Sequence, residues 1–409
     1  MAAPPAEVLD LLRHLGVALC RAGDAVNRVT LILDEVARAY RAEHVHFFVL
    51  PTAVFVRLGE TGAVAVDFAP VSSRELRLDQ VDALYRLVDD ILAGPVEVSA
   101  ARARLDALTI SAPRFGAPTR VAATALLTVG LGLLLDPTPM ALPAYLVLGC
   151  LVGVLQWWSG RDPVLALVLS VTAALTVTWV AFEVLSPLLG VPAAELVIPP
   201  LVTLLPGAAL TMATVELSSG SMITGSSRLV FGLERLLLLS FGIAIGIEAA
   251  GLPPGRTGTE TLGPWAPWLG VLVFGVGHFL ASSGPRGTLP WLLLVLYPVY
   301  AVQALSGLAL GSLGASFVAG AVVLPVAYAV QGLLHGPPAM VTFLPAFWLL
   351  VPGALGLAGV AEIVSVDAVS GLGDFLNALL SVVSIAVGVL VGAGVAERVG
   401  RTTPTWRGL

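Results

Sequence analysis

Glu216 and Glu362 each follow a Pro-Gly pair by ten residues, Pro206-Gly207 in one case and Pro352-Gly353 in the other, and each lies at the end of a long apolar run. A carboxylate so placed has two readings. It is a solvated helix end, or it is an acid whose pKa partial desolvation raises until it can load and release a proton near neutral pH. Arg235 sits two turns into another apolar run, seven residues after Arg228 and on the same helix face. An Arg within a bilayer costs on the order of 2.5–3.5 kcal/mol on insertion scales, so it needs a partner or water. It could take a substrate carboxylate in its guanidinium fork, or pair with Glu183, Glu234 or Glu248. Asp374 and Asn377, three apart, share a face near the start of the last apolar run, and His278 offers either a proton relay or a packing side chain.

Other chemistries find less support. His44 and His46 alternate onto one strand face, but without a third ligand at the right spacing a zinc site is not expected. No nucleophile elbow, Walker A loop or glycine fingerprint follows a predicted strand. Enzymatic activity, a cofactor and ATP-driven work are therefore not expected, and transport would have to draw on an ion gradient. Cys20 and Cys150 are too few for a disulfide framework. All 21 basic residues are Arg, and a net charge of −6 leaves no basic patch for nucleic acid.

The elements that must position these residues divide the chain sharply. Residues 1–120 carry 28 charges, residues 121–409 only 20. The whole is 57% hydrophobic and 12% charged, with mean hydropathy +0.93, whereas soluble domains are about 25% charged. The first 110 residues pattern as a soluble domain. Leu11, Leu12, Leu15 and Leu19 mark one helix face and Val26, Val29, Leu33 and Val36 a second, with Gly23-Asp24 between them as stop and N-cap. Three short β-branched runs between His44 and Phe68 form a meander, and helices follow over 81–92 and 98–108. The polar start, Met1 to Asp10, does not read as a signal peptide.

Ten apolar stretches follow: 119–135, 139–157, 163–185, 196–217, 228–250, 264–282, 289–309, 312–333, 339–361 and 371–395. Each is near the ~20 residues that cross a hydrocarbon core. With the N-terminus inside, the inner loops and tail hold Arg114, Arg120, Arg161, Arg228, Arg286, Arg398, Arg401 and Arg407, the outer loops only Arg256; the positive-inside rule favours that orientation.

Residues 190–217 match 336–363 at a separation of 146, without gaps. Gly190/Gly336, Pro192/Pro338, Pro199/Pro345, Pro206/Pro352, Gly207/Gly353 and Glu216/Glu362 all fall in register. If the copies occupy spans four and nine, the repeat unit holds five spans, and an odd number inverts the second copy. Pro-Gly inside each copy should interrupt the helix and expose main-chain polar groups, tolerable only where they line a cavity. Gly242-x3-Gly246 and Ser384-x3-Gly388-x3-Gly392 are stripes for close helix packing, and Gly242–Gly246 aligns by pattern with Ser384–Gly388. The expected architecture is an all-α polytopic membrane protein, about ten transmembrane helices as an inverted 5+5 repeat, with a small α+β soluble N-terminal domain. Its parts are the soluble domain 1–113, a first five-helix repeat 114–255 and a second 256–409.

Leu204-Leu-Pro-Gly-Ala-Ala-Leu210, then Val215-Glu-Leu-Ser-Ser-Gly220, Gly225 and Arg228, with a second Pro-Gly segment at Leu350-Val-Pro-Gly-Ala-Leu355, resemble the bacterial threonine/serine exporter family. Glu216 stands where that pattern leads one to expect Asp. The resemblance covers nearly the whole chain. It implies export of small hydroxy amino acids across the plasma (inner) membrane, driven by the proton motive force, with the soluble domain and C-terminus cytoplasmic. Substrate, protons and lipid are then the partners, and a homo-oligomer is compatible. The transport residues that the repeat, the resemblance and the polar residues of the spans together single out are Pro206, Gly207, Glu216, Ser219, Arg228, Arg235, Pro352, Gly353, Glu362, Asp374 and Asn377. Related two-component members are linked to dicarboxylate export, so export of a small dicarboxylate such as succinate is the alternative, and an uncoupled channel or sensor another.

Overall fold

The computed structural model describes residues 5–42, 44–59, 65–72, 75–94, 96–135, 137–251, 261–350 and 368–400. Pro352, Gly353 and Glu362 lie outside these residues, as does the side chain of Asp374.

The N-terminal domain folds because two amphipathic helices and a short sheet bury complementary faces. Helices α1 (Pro5–Arg21) and α2 (Val26–Ala39) place Leu11, Leu12, Leu15, Leu19, Val29, Leu33 and Val36 in full burial, as their i, i+3, i+4 spacing dictates. Between them Gly23 takes φ +87°, a left-handed conformation that favours glycine and ends α1. Strands β1 (Val45–Leu50), β2 (Ala53–Leu58) and β3 (Ala65–Pro70) form an antiparallel meander in the order β1-β2-β3, with Phe48, Phe55 and Phe68 in one cross-strand row. Val54 and Val56 point inward, and Gly16 on α1 admits Val54 so closely that a Cβ there would lie 2.9 Å from it. Helices α3 (Leu78–Ala93) and α4 (Val98–Ile110) complete the domain.

The remainder is helical: α5 (Ala117–Leu134), α6 (Ala141–Ser159), α7 (Pro163–Trp179) running through a π-helical turn (Val180–Leu185) into α8 (Ser186–Leu189), α9 (Ala193–Val202), α10 (Gly207–Ser218), α11 (Met222–Ala250), α12 (Ala266–Ala281), α13 (Leu289–Leu333), α14 (Ala339–Leu350) and α15 (Ala368–Gly400). Six segments among the described residues are long and apolar enough to cross a membrane: α5, α6, Val168–Leu189, α11, α13 and Leu376–Ala396 of α15; α9, α12 and α14 are apolar but shorter.

The 45 residues of α13 are not one rod. Gly311 has φ 71° and ψ −176°, a conformation open essentially to glycine alone. A Cβ on Gly307 would lie 3.7 Å from that of Ala315, whereas eight residues along a straight helix span about 12 Å. The chain therefore doubles back at Gly311, and its two arms, 289–310 and 312–333, each have the length of one crossing. Both arms begin or end beside the N-terminal domain. Leu78 N–H donates to Ser282 O, just before the first arm, and Tyr328, on the second, lies 6.0 Å from the Arg28 guanidinium.

These contacts fix helix directions relative to the face that carries the soluble domain. Helix α5 leaves that face and ends at the far side, where Thr138 N–H donates to Glu195 Oε1 at the start of α9. Helix α14 instead starts at the near side, where Arg28 Nη1 donates to Met340 Sδ. Helices α5 and α12 run antiparallel through glycine seams, where a Cβ on Gly270 would lie 2.9 Å from Gly130 O and one on Gly277 2.7 Å from Leu127 N. Helix α11 packs parallel to α7, with a Cβ on Gly242 coming within 2.6 Å of Val171 O. Helix α15 packs on the second arm of α13, Gly388 against Phe317 O and Gly392 against Ala321 O.

A single offset relates these features. Ala193 and Ala339 open α9 and α14, and Met222 and Ala368 open α11 and α15, each pair 146 positions apart. The packed pairs Gly242–Val171 and Gly388–Phe317 carry the same offset. Packing thus matches Gly242 with Gly388 and Gly246 with Gly392, one helical turn away from the Gly242–Gly246 to Ser384–Gly388 alignment that pattern suggests. A stripe repeating every four residues looks the same after a shift of four; only the facing helix selects the register.

Candidate functional site

The chain between α9 and α10 leaves helical form where Pro206 cannot donate. Leu204 N–H turns back to Leu201 O and Leu205 N–H to Val202 O, and α10 restarts at Gly207 with Pro206 as its N-cap residue. Pro206 and Gly207 are buried. The first turn of a helix leaves N–H groups without intrahelical acceptors and carries the positive end of the helix dipole, so this interruption sets a patch of main-chain donors inside the apolar part.

A cavity of about 270 Å³ reaches toward that patch from the soluble domain. It is lined by Arg21, Glu75 and Arg77 of the soluble domain, by Arg228 and His278, and by Ala209 and Met212 of α10 together with Phe347 and Trp348 of α14. Pockets for drug-sized ligands run from about 300 Å³ upward, so this one suits a small solute. Glu75 is exposed and lines the cavity. Burial pushes its carboxyl up, and the charges of Arg228 and Arg235 oppose this without cancelling it. His278 lies beside Ser282 Oγ at 3.3 Å and among the rings of Phe274 and Trp348.

Next to the cavity, four charged residues join the soluble domain to the membrane part. Glu216 is fully buried. Its Oε2 faces Arg228 Nε at 3.1 Å, and its Oε1 accepts from Val26 N–H at 3.2 Å. Val26 is the first residue of α2, so a carboxylate from the membrane part caps a helix of the soluble domain, where the dipole favours negative charge. Arg228 Nη2 donates to Asp24 O at 3.1 Å. Asp24 is itself buried; Tyr85 Oη donates to its Oδ2, and Arg28 Nε stands 3.7 Å from its Oδ1. The Arg28 guanidinium lies 5.4 Å from the Tyr85 ring and 6.0 Å from that of Tyr328. Burial holds the Asp24 carboxyl above its usual range, against the pull of Arg28, the Tyr85 hydroxyl and Arg228. Cys20, at the same seam, has its thiol pushed up to about 12, chiefly by burial.

The residues singled out by sequence thus separate into groups. Pro206, Gly207, Glu216 and Arg228 come together beside the cavity. Ser219 closes α10, its Oγ donating to Glu216 O at 3.0 Å. Arg235 stands apart from the Glu216–Arg228 pair. It donates to Ser170 Oγ at 3.2 Å and lies over the Phe231 ring; among the described residues it forms no ion pair with Glu183, Glu234 or Glu248. Asn377 is exposed on α15. Asp24 is not the N-cap of α2: Ala25 occupies that position without a side-chain bond, because the Asp24 side chain turns to Tyr85 and Arg28 while Glu216 supplies the cap from 190 residues away. Sequence reasoning missed Asp24, Arg28, Tyr85 and Tyr328, whose partners, apart from the i,i+4 pair Asp24–Arg28, are long-range; the local signals were that spacing and an acid after a helix-ending glycine.

Bundle, docked domain and vestibule together define a polytopic helical membrane protein with a soluble domain seated over one face. The family model described as "Putative threonine/serine exporter" matches residues 10–249, and the chain belongs to that family of membrane exporters. It is also similar to the "Pheromone-regulated membrane protein 10" of three fungi. Identity is 27% over 217 residues for Eremothecium gossypii (51% of this chain, 29% of that protein), 25% over 218 residues for Zygosaccharomyces rouxii (47% and 22%) and 26% over 216 residues for Candida glabrata (47% and 27%). The match spans less than a third of the length of each of these relatives. No solved structure matches the chain.

Proposed function

We propose that this protein is a secondary transporter that exports small amino acids of the threonine/serine type across the plasma (inner) membrane, driven by the proton motive force. The observation that carries the proposal is the vestibule: a small cavity shared between the soluble domain and the membrane part and lined by Ala209, two residues past the Pro206-Gly207 interruption. In this reading the membrane part has ten crossings in two oppositely directed halves, 114–255 and 256–409, and the soluble domain is 1–113. Its supports are the hairpin at Gly311, the common 146-residue offset, and the opposite faces at which α9 and α14 begin. Inverted repeats with interrupted helices place solutes at the junction of the halves.

The substrate carboxylate is taken by the cationic wall, Arg21 and Arg228, and then by the free N–H groups at the start of α10. Glu216 exchanges the coupling proton on the cytoplasmic side. Protonation removes its charge from Arg228 and weakens its hold on α2, so that proton binding and release of the soluble domain are linked. Glu362 is its counterpart in the second half. Arg235 adds positive field along the route rather than a direct contact. Both termini face the cytoplasm, as the Arg distribution favours.

The three Arg and one Glu that line the vestibule also favour a second reading, a small dicarboxylate as cargo. Counterflow in proteoliposomes with labelled threonine, serine and succinate decides between them. The expected result is saturable threonine and serine exchange that accelerates with an imposed pH gradient. Exchange of succinate alone would transfer the proposal to the dicarboxylate reading, and the absence of saturable exchange of any of the three would refute it.

A further inference from the structure

A second cavity, of about 310 Å³, lies between α2 and α3 of the soluble domain and the turn from α13 to α14. It shares no lining residue with the vestibule. At its floor is Arg28, whose side chain is only 11% exposed and is held between the rings of Tyr85 and Tyr328. A guanidinium has five N–H donors. One of those of Arg28 is spent on a thioether, Met340 Sδ at 3.4 Å, a weak acceptor, and another on the Tyr328 side chain; its nearest carboxylate, Asp24, stands at 3.7 Å and is already engaged by Tyr85. This is a donor set with capacity for a better acceptor.

The rest of the lining narrows what that acceptor belongs to. Glu35 and Asp89 contribute two carboxylates to the same cavity, so its formal charge, with Arg28, is negative. A dianion is disfavoured there, whereas a solute with both a carboxylate and an ammonium group is matched at both ends. Ile32, Val88, Leu92 and Met340 form an apolar wall suited to an aliphatic side chain.

We propose that this cavity is a second amino-acid site, in which Arg28 takes the carboxylate, Glu35 and Asp89 the ammonium, and the apolar wall an aliphatic side chain. The site joins the soluble domain to the second membrane half, so an occupant bridges them and favours the docked state; it binds there without being carried across. This does not depend on the export reading, since binding at this site requires no flux.

The test is equilibrium binding of labelled L-leucine to the purified full chain in nanodiscs, with N-acetyl-leucine, leucine amide and succinate as competitors. Two variants separate the cavities. Ala93→Trp fills the second one from its exposed rim, where folding is least disturbed, and Ala209→Trp fills the vestibule. Asp89→Asn serves as a milder probe of the ammonium contact. The expected result is leucine binding that unlabelled leucine displaces and the other three compounds do not. It should be at least tenfold weaker in Ala93→Trp, weaker in Asp89→Asn and unchanged in Ala209→Trp. Loss in Ala209→Trp with retention in Ala93→Trp would overturn the proposal, as would competition by succinate or no saturable binding up to millimolar leucine.

Discussion

Replacing Glu216 by Gln should loosen the soluble domain from the membrane part without unfolding either. Glu216 has no exposed surface and holds two partners, Arg228 and the α2 N-terminus. Breaking a buried ion pair by neutralising one member costs roughly 3–5 kcal/mol. The lower end applies here. Gln can still accept from Val26 N–H, and Arg228 keeps both its bond to Asp24 O and 16% exposure. About 3 kcal/mol corresponds to roughly 150-fold in the docking equilibrium. Cys20 packs on Leu50 O within its own domain but also lies within reach of the Arg228 and Glu216 charges, which makes it a probe of that equilibrium. Docked, its thiol is pushed up to about 12, so at pH 8 only about one molecule in 10⁴ is thiolate, the form that reacts, against about a quarter for an ordinary cysteine. In a Cys150→Ser background, maleimide labelling of Cys20 should therefore be slow in the parent and on the order of 100-fold faster in Glu216→Gln. A double-mutant cycle with Arg228→Gln should show the two changes to be strongly non-additive. Equal labelling rates in parent and variant, or additive effects in the cycle, would refute the idea that this pair locks the domain.

Two further outcomes follow from particular residues. Asp24 has its carboxyl held above the usual 3.8 by burial, so the folded state favours its neutral form. That contribution is complete below the unperturbed value and is lost as pH rises through the raised one; thermal unfolding in detergent should show stability falling with pH across that window, and Asp24→Asn should flatten the slope. Gly311→Ala places a Cβ in a conformation reserved for glycine and should cost about 1–3 kcal/mol. Gly307→Ala, with its nearest contact at an ordinary 3.7 Å, should change the unfolding temperature little; equal effects at the two positions would mean that the hairpin does not depend on Gly311.

The class of fold was legible because lipid is an exacting solvent. Long apolar runs, a charge-poor second part and the 190–217 against 336–363 repeat are local or self-referential signals, and they require no knowledge of tertiary contacts. The helix interruption was legible for the same reason, since Pro206 lacks a donor wherever the helix goes. The docked seam was not legible. Asp24, Arg28 and Tyr85 become a site only when α1–α2 of one domain meets α10, α11, α13 and α14 of another, and nothing in their spacing announces partners up to 312 positions away. Glu216 was recognisable as an unusual acid, but not as a cap for a distant helix. The glycine stripes marked close packing without fixing register, because a four-residue period is degenerate under a one-turn shift.

The most direct test of the central claim, that solute passes through the vestibule beside the interrupted helix, places a cysteine at Met212 in a chain with Cys20 and Cys150 replaced by Ser. Exchange of labelled threonine by proteoliposomes is measured before and after a charged methanethiosulfonate reagent is added on the face that carries the soluble domain. The account predicts that modification stops exchange and that saturating threonine slows the modification. Complete modification with exchange unchanged would place the route elsewhere.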